Sequence, residues 1–88
     1  MKIFNINISL QQLTSWASED HGLVPHRKDT VESYLQLMEE FAPLDVFKRA
    51  KRLIKDEGVT VDDLSFTVID ESTGVTYPYN PPLDLVFG

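Results

Sequence analysis

Asp45-Val-Phe-Lys-Arg-Ala-Lys-Arg-Leu-Ile-Lys-Asp-Glu-Gly58 organises the sequence, because it holds five of the eight Lys and Arg residues and ends in a legible helix stop. At about 100° per residue, Val46, Phe47, Ala50, Leu53 and Ile54 share one sector. Lys48, Arg49, Lys51, Arg52 and Lys55 take the opposite side, which predicts a strongly amphipathic helix over 46–57. Asp45 is the expected N-cap, its carboxylate accepting from the first turn, and Gly58 supplies the left-handed residue that closes the helix. The basic face reads first as a solvated surface pairing with acidic neighbours, and second as a groove or phosphate contact.

Upstream, Asp29 and Glu32 have capping-box spacing, and Val31, Tyr34, Leu35, Met38, Phe41 and Ala42 form an apolar stripe, predicting a second helix over 30–42. Its outer face carries Glu32, Gln36, Glu39 and Glu40, acidic where the later helix is basic. Pro43 separates the two so closely that they should be neighbours. Earlier still, Ser9 stands three residues before Gln12, and Leu10, Leu13, Trp16 and Ala17 recur at helical intervals, placing a first helix over 10–20 that stops at Gly22. Residues 2–9 alternate, with Phe4, Ile6 and Ile8 on one side and Asn5, Asn7 and Ser9 on the other, as in a half-buried strand.

Downstream, Leu64, Phe66 and Val68 alternate with polar positions, Asp70-Glu-Ser-Thr-Gly74 supplies a turn, and Val75, Tyr77 and Tyr79 alternate on the return. Pro78 has no ladder donor, which assigns the return strand to an edge. The expected fold is α+β in the order β-α-α-α-β-β. Three helices pack on one face of a small, mainly antiparallel sheet that includes the C-terminal hairpin. Residues 1–88 make a single domain. The tail 80–88 contains Leu83, Leu85 and Phe87 and should dock on the body or on a partner.

Composition narrows the function classes. The chain has no cysteine, hence no disulfide, thiolate metal site or thiol nucleophile, and this fits a reducing, cytoplasmic setting. Strand-like alternation follows Met1-Lys2 directly, so neither a signal peptide nor a membrane span is expected. The net charge of −6 is unevenly spread. Residues 26–55 carry seven basic against five acidic side chains, +2 locally. Residues 56–88 hold Asp56, Glu57, Asp62, Asp63, Asp70, Glu71 and Asp84 with no Lys or Arg. Such a field repels nucleic acid and steers cationic partners inward.

No catalytic or cofactor motif accompanies this charge. The glycines at 22, 58 and 74 stand apart and cradle no phosphate, and adjacent acids such as Asp62-Asp63 and Asp70-Glu71 point apart instead of converging. His21 and His26 are separated by a glycine and a proline at a spacing that suits no helical metal site. The expectation is a non-enzymatic interaction protein without cofactor or metal, contacting a basic site on a partner protein through Asp62, Asp63, Asp70, Glu71, Tyr77, Tyr79 and Phe87. The same C-terminal edge offers a surface for a homodimer. In size, acidity and lack of motifs the chain is similar to small inhibitors encoded by phages and mobile elements, some of them nucleic-acid mimics. That likeness is one of type and carries no residue across. The alternative is a winged-helix-like nucleic-acid-binding regulator using helix 46–57, an order of elements opposed by the acidic tip of its would-be wing.

Overall fold

The computed structural model describes residues 3–84. Along the chain come β1 (Phe4–Ser9), α1 (Leu10–His21), α2 (Val31–Leu37), α3 (Leu44–Glu57), a 3-10 turn (Val61–Asp63), β2 (Leu64–Ile69) and β3 (Thr76–Tyr79). The α+β class and the β-α-α-α-β-β order are as expected. The sheet is mixed: β2 lies in the middle, parallel to β1 and antiparallel to β3. After three helices the chain re-enters the sheet at the end where β1 began, so the β1–β2 ladder is parallel. Only the tight 70–75 turn produces an antiparallel pair.

The period-two pattern decides which face is inside. Ile6 pairs with Phe66 and Ile8 with Val68, while Phe66 faces Tyr79 and Val68 faces Tyr77, forming one apolar surface across the three strands. Ile8 and Val68 are fully buried in it. The other surface carries Asn5, Asn7, Ser65 and Thr67, with the Thr67 hydroxyl donating to Asn5 Oδ1 at 2.9 Å across the strands. All three helices therefore lie on one side, with α1 beside β1 and α3, and α2 beside β3. Leu13 and Ala17 of α1, Tyr34, Leu35 and Met38 of the α2 region, and Val46 and Ala50 of α3 complete the core.

Helix ends differ from the sequence expectations in three places, both ends of the second helix and the start of the third. α1 begins as predicted, the Ser9 hydroxyl accepting from the Gln12 N–H, and ends at Gly22 with φ of 67°. α2 is capped by Thr30 in a reciprocal box with Ser33, while Asp29 instead accepts from the His26 N–H at 2.8 Å. It stops at Leu37 instead of reaching 42, its last turn tightening through Glu39 N–H to Gln36 and Glu40 N–H to Leu37. Glu39 and Glu40 oppose the negative end of the helix dipole, and Pro43 disfavours helical geometry at Ala42.

α3 starts at Leu44, so Asp45 lies inside its first turn and is not the cap. The cap comes from a distance: Asp20 of α1 accepts from the Leu44 N–H at 2.6 Å. Next to it, His21 Nε2 bonds the Ala42 carbonyl at 3.0 Å and its ring meets Phe41 edge-on at 5.1 Å. Asp20 and His21 thus tie α1 to the α2–α3 connector. Leu83 is buried, so the start of the tail docks on the protein's own body.

Candidate functional site

Of the seven residues expected to meet a partner, the six that lie among the described residues are not gathered into one place. Asp62 and Asp63 precede β2 and Asp70 and Glu71 follow it, which puts the two acidic pairs about 23 Å apart at 3.3 Å per residue. Asp63 is occupied locally, its Oδ2 accepting from the Thr60 N–H at 3.1 Å and hydroxyl at 3.2 Å. Asp70 shapes the hairpin: its Oδ1 accepts from the Ser72 hydroxyl at 2.6 Å, from the Ser72 N–H at 3.0 Å and from Gln11 at 3.4 Å. The Ser72 hydroxyl above all, helped by the Ser72 N–H, Gln11 and Thr73, holds this carboxyl below the usual range. Glu71 is exposed at the tip, and its N–H donates to Gln11 Oε1 at 3.4 Å.

Tyr79 departs furthest from its expected role. It is 1% exposed, its hydroxyl donates to the Met38 carbonyl at 3.3 Å, and its ring stands edge-on to Phe66 at 6.4 Å. Burial, reinforced by Tyr34 and by the charge of Glu39, pushes the phenol well above its ordinary value. The inward phase of the strand takes it into the core, so it offers no exposed ring to a partner. Tyr77 shares that phase but lies one residue pair nearer the hairpin and remains half-exposed. Phe87 lies outside the described residues.

A different acidic surface emerges where α2 packs beside β3. A groove of about 460 Å³ is lined by Thr30, Glu32, Gln36, Glu39, Tyr77 and Pro78, among others. Immediately along the chain, a second groove of about 310 Å³ runs past Asp62, Ser65, Asn80, Pro81, Pro82 and Asp84. They adjoin at residues 78–80, where the Asn80 side-chain amide donates to Glu39 Oε1 at 3.3 Å. Four carboxylates therefore flank a proline- and tyrosine-bearing segment, with no Lys or Arg among the described residues of either lining.

The sequence already puts Glu32 and Glu39 seven residues apart, on one helix face. It does not reveal that this face borders Tyr77, because that depends on which strand α2 covers. Such a concave, anionic, partly apolar surface suits cationic side chains presented on an extended or looped segment. Nothing in it pairs a nucleophile with a base. Among the described residues, no three His, Asp or Glu side chains gather as a metal would require.

On the opposite side, α3 exposes Lys48, Arg49, Lys51, Arg52 and Lys55, whose side chains form no ion pair or hydrogen bond among the described residues. The acidic hairpin and this basic helix lie at different edges of the sheet. No helix among the described residues is long and apolar enough to cross a membrane. Comparison of the chain with known proteins finds no matching family model, no matching curated protein and no matching solved structure.

Proposed function

We propose that the protein is a small, cofactor-free, non-enzymatic interaction module of inhibitor type, working in the cytoplasm by occupying a positively charged site on a partner protein. The observation that carries this reading is the pair of adjoining grooves along residues 77–84, where Glu32, Glu39, Asp62 and Asp84 surround Tyr77 and the three prolines without a counter-charge among the described residues. Carboxylates at the rim accelerate encounter and set specificity, while Tyr77 and the prolines supply desolvated area and slow dissociation. A site that normally holds nucleic acid is the natural target, because it presents the complementary charge. The acids at the hairpin tip, Asp70 and Glu71, contribute to the long-range field, and Tyr79 supports the surface from beneath.

Capture from host lysate at low and high salt, with mass spectrometry of the eluate, tests this. The native chain should retain a basic protein that is released by salt. Reversal of Glu32, Glu39, Asp62 and Asp84 to Lys should lose it while the far-ultraviolet spectrum is unchanged. Retention of the same partner by the folded, charge-reversed protein would refute the proposal.

A further inference from the structure

The two edges of the sheet, β1 and β3, both open among the described residues, are not equivalent. In the β2–β3 ladder, the Asp70 backbone N–H donates to the Val75 carbonyl at 2.9 Å, and Thr67 faces Pro78 three pairs further along. Hydrogen-bonded and non-bonded pairs alternate in an antiparallel ladder, so the backbone at Pro78 faces outward, and proline has no N–H to offer there. An added strand would find the β3 edge short of a donor. β1 forms the other edge with Phe4-Asn-Ile-Asn-Ile-Ser9, which contains neither proline nor a charged residue to repel a new strand.

Beside β1 runs a groove of about 470 Å³ lined by Asn5, Ile6 and Asn7 from the strand and by Arg49, Arg52 and Leu53 from α3. Neither arginine has an ion-pair or hydrogen-bond partner among the described residues. Lys48, Lys51 and Lys55 continue the positive surface outward. From these observations we infer that the β1 edge is a second docking site. It takes an extended acidic segment of a partner protein as a fourth strand, main chain to main chain with β1 and carboxylates against Arg49 and Arg52.

The geometry suits a strand. Residues two apart on a strand face the same side at about 6.6–6.8 Å, and Arg49 and Arg52 are separated by about 4.5 Å of helix rise, a difference that long guanidinium arms span. Guanidinium–carboxylate contacts are charge-assisted and can be bidentate, and main-chain pairing adds affinity that does not depend on side chains. A second copy of this chain fits poorly. Two β1 strands paired about a two-fold axis would bring two α3 faces of the same sign together, and the β3 edge of a neighbour lacks the donor at Pro78.

Selection of a displayed library of random twelve-residue peptides on the full chain, followed by anisotropy with the enriched peptides, tests the inference. Enriched sequences should carry Asp or Glu at alternate positions. Their dissociation constants should rise about tenfold or more with Arg49→Glu and Arg52→Glu, the loss of a charge-assisted contact. N-methylation of alternate peptide residues should abolish binding to the native protein in one register and spare it in the other, a readout that needs no protein variant. Enrichment without acidic residues, or binding unchanged by N-methylation in both registers, would overturn the inference. So would a random-sequence DNA duplex that displaces the peptides and binds more tightly, which would make α3 a phosphate-binding face.

Discussion

Truncating Tyr79 discriminates between a buried anchor of the fold and an exposed contact. Tyr79→Ala removes a side chain that is 1% exposed, packed edge-on to Phe66, and bonded through its hydroxyl to Met38. Deleting a buried aromatic of this kind costs about 3–5 kcal/mol. At 0.05–0.15 kcal/mol per residue, 88 residues have about 4–13 kcal/mol in total, so the loss takes a large share of the stability. Tyr79→Phe separates the two contributions. Its hydroxyl bond is long at 3.3 Å, so removing it should cost near the low end of the usual range, about 0.5 kcal/mol. Urea unfolding followed by circular dichroism gives both numbers. The phenylalanine protein should resemble the native one, and the alanine protein should be at least 2 kcal/mol less stable than it. An alanine variant within 1 kcal/mol of native would place the ring at the surface and refute the packing described here.

Tyr34 is buried too, yet its hydroxyl has no hydrogen-bond partner among the described residues. Tyr34→Phe should therefore leave stability unchanged or raise it by about 1 kcal/mol, and a loss in thermal unfolding would reveal a hidden partner. Burial raises both phenols above the ordinary value of 10.0, so above that pH the unfolded state loses protons that the folded state keeps. Their contribution to stability is intact below pH 10 and declines as pH rises towards the folded values, more steeply for the more deeply buried Tyr79. An alkaline unfolding titration should show this slope, flattened in Tyr34→Phe and Tyr79→Phe; an unaltered slope in both variants would assign it to other groups.

The elements of this fold are legible in its sequence because each carries its own local signal. Alternation marks β1 and β2, Gly22 and Gly58 stop two helices, and the two faces of α3 are separated as its periodicity predicts. Pairing across distance is not legible. The Asp20 carboxylate that caps α3 lies 24 residues from Leu44, and no local pattern announces it. The same holds for the site. Asp62 and Tyr77 were recognisable as acidic and aromatic candidates, whereas Glu32 and Glu39 join them only because α2 lies against β3. Tyr79 reads from sequence as part of an exposed edge but is buried, because alternation alone does not say how far along a strand the core extends.

The central claim, that the partner lies along residues 77–84 and the acidic face of α2, is tested most directly by amide chemical-shift mapping of the isotope-labelled chain titrated with the captured basic protein. Perturbations should concentrate at Thr30–Glu39, at Asp62 and from Tyr77 to Asp84, and should weaken with added salt. Perturbations confined to α3, or to the hairpin tip at Asp70 and Glu71, would contradict it.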